Sequence, residues 1–186
     1  LSVSSETREA LAKDGALKTA CGSIAGEEVP DDPSIVELAL AFTGNLSHQK
    51  RENRENFLQG VNCQDYFRSL FVAMTRHKKY LTVQTRALHC LGNLFAILYN
   101  ELQWDRNRFS QCVVCALRIY PENRLLGQYA LVAIQNSLKY DHSDELKSIM
   151  VREGMVVSVR QVMWTFDTDP LIEQLGKWIT LSLTLD

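Results

Sequence analysis

A long amphipathic segment that recurs four times places the strongest constraint on what this chain can fold into. The copies are "PSIVELALAFTGNLS", "VQTRALHCLGNL", "ENRLLGQYALVAIQNSL" and "DPLIEQLGKWITLSLTL". In the second, Val83, Ala87, Leu88, Leu91 and Leu94 recur at spacings of three and four, the period of one buried helical face. Aligned on a small polar residue near each end (Asn45, Asn93, Asn136 and Ser182), the copies are 48, 43 and 46 residues apart. Six positions upstream the residue is always small: Ala39, Ala87, Ala130 and Gly176. Ten upstream it is always apolar: Ile35, Val83, Leu126 and Ile172. A small residue at a fixed place lets a neighbouring helix approach closely. Spacings near the roughly 40–47 residues of two- or three-helix repeats therefore predict stacked helical repeats.

A second signature precedes the long segments. "REALAKDGALKTACGSI", "RENFLQGVNCQDYFRSLFVAM" and "LKSIMVREGMVVSVRQVMWTF" each read as a short helix, a Gly and a second amphipathic helix. Gly15, Gly60 and Gly154 supply the positive φ that ends the first helix and turns the chain. The remaining copy, "RNRFSQCVVCALRIY", has Gln111 and Cys112 in place of the Gly, so its first turn must differ. Pro33, Pro121 and Pro170 lie just before three long helices, where a missing amide costs nothing, and "HKKYLT" provides the remaining break. Residues 25–34, "AGEEVPDDPS", read as a solvated loop, and "SHQKRENREN" as the start of the next repeat. The expected architecture is a single all-α domain over 1–186, with approximate repeats 4–50, 51–100, 101–141 and 142–186.

Short helix, Gly, second helix, break and long third helix ending in Asn-Leu resembles the armadillo repeat family. The resemblance covers essentially the whole chain. It implies a right-handed α-solenoid of about four three-helix repeats, whose third helices line a concave groove. An Asn ladder in such grooves holds the backbone of an extended partner, since an amide can satisfy both polar groups of a peptide unit. By resemblance that role falls to Asn45, Asn93 and Asn136, with Ser182 as a weaker fourth; the competing reading is an Asn that caps its own last turn.

His89 and Asn93 lie four apart on one polar stripe, which is then groove and not core; the plainer alternative is a solvent-exposed helix face. Nuclear-import members of the family pair the Asn with a Trp one turn earlier. Here those positions hold Ala41, His89, Val132 and Trp178, so a reader of nuclear-localisation signals is disfavoured. Glu37, Arg86, Gln128 and Gln174 are expected at the groove's flank. Variation in size along the Ala41, His89, Val132, Trp178 column points to partial exposure of Trp178, against the usual core placement of a large aromatic.

Elsewhere the chain offers little chemistry. With 20 basic and 22 acidic side chains the net charge is −2, which argues against a nucleic-acid binder. "RHKKY", residues 76–80, is the densest basic run and reads as a solvated loop, although it could touch phosphates or anionic lipid. Cys112 and Cys115 form a Cys-x-x-Cys, but no second ligand pair follows at zinc-finger spacing and no βαβ context supports a redox motif; they read as core. His48, His77, His89 and His142 show no ligand pairing, and Cys90 has no local nucleophile motif. Neither a phosphate loop nor a Gly-x-Ser-x-Gly nor a dinucleotide fingerprint is found.

No catalytic residue, metal or cofactor is expected. Five cysteines without framework spacing suggest reduced thiols and a cytoplasmic location, despite the glycosylation-like Asn45-Leu46-Ser47. No apolar run is long enough to span a bilayer. The start at Leu1 without a Met or leader suggests an excised or processed segment, from which a lipid anchor could be missing. The leading functional expectation is a non-enzymatic adaptor binding an extended or helical segment of another protein. The alternative is a docking or spacer module cut from a longer solenoid; a helical-repeat nucleic-acid binder comes third.

Overall fold

The structure, a computed structural model, describes residues 19, 20, 22, 24, 30–47, 63–96, 104–141 and 143–185. Among them are eight helices and no strand: α1 (Pro33–Ser47), α2 (Cys63–Arg76), α3 (Leu81–Phe95), α4 (Arg106–Ile119), α5 (Arg124–Tyr140), α6 (Asp144–Arg152), α7 (Met155–Thr165) and α8 (Pro170–Thr184). The fold of the described residues is all-α.

The four long segments are α1, α3, α5 and α8, and they start in strict register. Pro33, Leu81, Arg124 and Pro170 each lie twelve positions before Asn45, Asn93, Asn136 and Ser182. Three of the four starts are capped by the residue before. Asp32 accepts from the Ser34 amide at 2.8 Å, Asn123 from that of Leu126 at 2.9 Å, and Asp169 from those of Leu171 and Ile172. Tyr80, at the same place before α3, makes no such bond. Pro33 and Pro170 are first residues of their helices, where φ is already helical. Pro121 differs, lying in the turn before α5.

The long helices pack in chain order, α1 on α3, α3 on α5 and α5 on α8. The small column lies inside the packing: Ala39, Ala87, Ala130 and Gly176 are all buried, and Gly176 faces the Met163 side chain of α7. A second row lies behind, with α2 against α3 and α4, α4 against α6 and α7, and α7 against α8. Between the rows Phe95 meets Phe67, Trp104 and Phe109 at ring separations of 5.4, 4.7 and 5.1 Å. Burial of side chains this size contributes about 1.5–3 kcal/mol each. In the apolar column Val83, Leu126 and Ile172 are fully buried, whereas Ile35 is 47% exposed, because α3 covers the other side of α1.

Ahead of α8, α6 gives way at Gly154 (φ 87°) and α7 follows. Ahead of α5, α4 runs unbroken through Gln111 and Cys112, so a single helix stands where a turn was expected. Without a Gly to take positive φ, nothing stops the helix there. Gly15, Gly60, His48, His142, residues 25–29, the charged run from residue 48 and the repeat boundaries at 4, 50–51 and 100–101 lie outside the described residues.

Candidate functional site

Two rungs of the Asn column bridge successive long helices. Asn93 Nδ2 donates to the Gly44 carbonyl at 3.1 Å, and Asn136 Nδ2 to the Gly92 carbonyl at 2.8 Å. Gly92 is fourth from the end of α3, so its carbonyl is one that the helical ladder leaves over. Close approach is possible because the residue is Gly: a Cβ there would stand 3.2 Å from Val132 Cγ1 and 3.6 Å from the Ala133 amide nitrogen. These amide nitrogens therefore fasten helix to helix and do not cap the residue's own turn. At α8 the bridge lapses, and Ser182 Oγ donates instead to its own Trp178 carbonyl at 2.9 Å. With α5 at 17 residues against 15 for α3, the corresponding carbonyl of Gln135 lies inside the helix, where the ladder uses it. Asn45, first in the column, is exposed.

Around these rungs the long-helix face opens into a cleft of about 370 Å³, lined by Asn45, Arg86, Leu88, His89, Gly92, Asn93, Tyr129 and Val132. Its floor is a stacked pair, the His89 ring on Tyr129 with centroids 4.7 Å apart and planes at 28°. His89 Nε2 accepts from Asn93 Nδ2 at 3.2 Å. The whole column one turn before the Asn positions, Ala41, His89, Val132 and Trp178, is half-buried, as expected for a seam between helices. Trp178 packs against the core on one side, and the Lys139 ammonium lies 5.8 Å from its ring centroid.

The flank residues divide. Glu37 and Arg86 are half-buried and Gln174 is exposed. Gln128 is half-buried and engaged within the stack: its Nε2 donates to Asp169 Oδ2 at 2.9 Å, beside Arg124 Nε at 2.6 Å. The Arg124 bond, helped by the amides of Leu171 and Ile172 and by Gln128, holds the Asp169 carboxyl below its ordinary range. Glu37, Gln128 and Gln174 lie eight before their column residues, but Arg86 lies seven before. The residue in register is Thr85, which is buried and donates to the Leu81 carbonyl at 2.8 Å; Arg86, one step round, still reaches the cleft.

Tyr129 belongs to the cleft although periodicity alone marked it only as a helix residue. Another unforeseen residue is the buried Gln84, whose amide donates to the Met74 and His77 carbonyls at 3.0 and 3.1 Å and so closes the end of α2. Much of the basic run is engaged: His77 is buried with Nε2 2.9 Å from the Pro30 carbonyl, and Arg76 pairs with Asp31 at 3.4 Å. Lys78 and Lys79 remain exposed.

Cys90 is buried, donates to the Leu40 carbonyl at 3.2 Å, and burial pushes its thiol up to about 11, which suppresses a nucleophilic thiolate at neutral pH. Cys112 is buried in α4 beside Phe71 and Thr75, and Cys115 is half-buried. Among the described residues no group of three or more His, Cys, Asp or Glu is placed to hold a metal, and no helix is long and apolar enough to cross a membrane.

No protein-family model matches the chain, and no curated protein matches it. Among solved structures it is similar to an engineered protein crystallised by the Northeast Structural Genomics Consortium, at 11% identity and a TM-score of 0.55. The match covers 100% of this chain and 88% of that one. A likeness at this identity is one of fold alone.

Proposed function

We propose that this chain is an armadillo-type stack of repeats acting as a non-enzymatic, cytoplasmic adaptor that holds a segment of another protein on its long-helix face. The observation that carries the reading is the cleft at the α1–α3–α5 face, where two columns of the repeat converge over the His89–Tyr129 stack. Its lining is mixed: Arg86 brings positive charge, Asn45 an exposed amide, and Val132 apolar surface. A segment offering an acidic side chain to Arg86 and a flat or aliphatic one to the aromatic floor suits that lining. With Asn93 and Asn136 occupied between helices, Asn45 and Arg86 carry the polar contacts to the partner.

Selection of short peptides from a random display library against this chain tests the proposal. Selected peptides should lose about tenfold or more in affinity for Arg86→Glu and for Tyr129→Ala. They should keep their affinity for Arg108→Ala, which alters a separate hollow lined by Phe67, Phe71 and Trp104 on the α2–α4 side. Peptides indifferent to both cleft substitutions would overturn the proposal.

A further inference from the structure

The register of the long helices also specifies what fits on the two outer faces of the stack. In α3 and α5 one stripe packs back on the preceding long helix: Cys90 Sγ on the Leu40 carbonyl, the Asn93 and Asn136 amides on Gly44 and Gly92, the Tyr129 ring on His89. Three and seven residues before each column Asn and ten before it, the same stripe in α1 holds Phe42, Leu38 and Ile35. Leu38 is 72% exposed and Ile35 47%. The apolar back of α1 is thus built for a long helix of this kind and has none of the described long helices upon it.

A neighbouring stripe, which α1, α3 and α5 turn toward the next long helix, is largely open on α8. There it comprises Gln174, Leu181 and Leu185, the last two 55% and 64% exposed, edged by the half-buried Trp178, whose ring also lies 5.8 Å from Lys139 of α5. Among the described helices α8 alone has that forward stripe unoccupied.

Two pairings inside the molecule show how these faces match. In the α5–α8 joint Gln128 Nε2 donates to Asp169, the capping residue of the following long helix. Gln174 stands at the position of Gln128, and Asp32 at that of Asp169, with the same Asp-Pro sequence entering the helix. In the α3–α5 joint His89 stacks on Tyr129; Trp178 and Leu38 occupy those two columns. We propose that copies of this chain stack head to tail, α8 of one copy docking on the back of α1 of the next. Trp178 then covers Leu38, and Gln174 donates to Asp32. Leu181 stands where Gly44 and Gly92 allow close approach, so this joint is wider and lacks an Asn45 rung. Such an interface is heterologous and propagates as a chain of copies.

Sedimentation velocity on the full 186-residue chain across its soluble concentration range tests this. The unaltered chain should form a concentration-dependent series of oligomers. Leu38→Asp and Leu181→Asp, both at exposed positions, should each be monomeric with unchanged helicity by circular dichroism. Mixed, the two variants should form a one-to-one pair that grows no further, because each keeps the one face the other needs. A monomeric unaltered chain, oligomers that persist in either variant, or a mixture that stays monomeric would overturn the proposal. The Leu38 side chain is outside the α1–α3–α5 cleft, so peptide binding there is unaffected by the outcome.

Discussion

Replacing Asn136 with Ala removes the amide that bridges α5 to α3 at 2.8 Å. The net worth of such a bond is about 0.5–1.5 kcal/mol, and leaving the carbonyl of the buried Gly92 unsatisfied costs about 1–3 kcal/mol. Because the Gly92 carbonyl belongs to the last four of α3, no helical amide takes over. Water reaches part of this seam, which places the loss near the lower end, at about 1.5 kcal/mol. For a chain of this length that corresponds to a fall in Tm of about 3–6 °C. Asn45→Ala, at the exposed first position of the same column, should change stability by less than about 0.5 kcal/mol. Urea unfolding followed by circular dichroism compares the two directly. Equal midpoints for Asn45→Ala and Asn136→Ala, with equal slopes, would refute the assignment of Asn136 to the helix–helix joint.

Three further outcomes follow from particular contacts. Burial acts to raise the Asp141 carboxyl, but bonds from Ser143 and Arg106 outweigh it, and Asp169 is lowered first of all by Arg124; both lie below the ordinary value of 3.8. A lowered folded value means that the stabilisation is complete above the ordinary range and is lost as pH falls through the lowered values. Arg124→Ala should therefore move the acid-unfolding midpoint, read by tryptophan fluorescence, to higher pH, and an unmoved midpoint would remove Arg124 as the cause. Gly154→Ala forces a Cβ into φ 87° and to 3.0 Å from Arg118 Nη2, and should cost about 1–2 kcal/mol in urea unfolding. Cys90, buried and with its thiol pushed up to about 11, should resist alkylation at pH 8 until urea unfolds the chain; mass-spectrometric mapping that finds Cys90 modified in the native state would contradict its burial.

Much of the fold was legible because it depends on local spacing. The small column marked buried positions where helices touch, the apolar column marked three buried positions, and Pro33, Pro121 and Pro170 marked three helix starts to within a few residues. What escaped depends on a partner across space. Nothing in α5 alone says that Asn136 turns to the end of α3, or that Gln128 turns to Asp169 and not to a groove. One signal was nevertheless present: Gly44 and Gly92 are each followed one repeat later by Asn, whereas Gln135 is followed by Ser182. Glycine admits the close approach that an amide bridge needs, so the two columns change together. The unbroken α4 follows from the missing Gly, which foretold a difference in its first turn without saying that the break would vanish.

Whether the long-helix face receives a protein segment is tested most directly by amide chemical-shift mapping of the ¹⁵N-labelled chain with a display-selected peptide. The expected shifts cluster at Asn45, Arg86, His89, Asn93, Tyr129 and Val132, around the α1–α3–α5 cleft. Shifts confined instead to Phe67, Arg68, Trp104 and Arg108, around the hollow on the α2–α4 side, would contradict the proposed site.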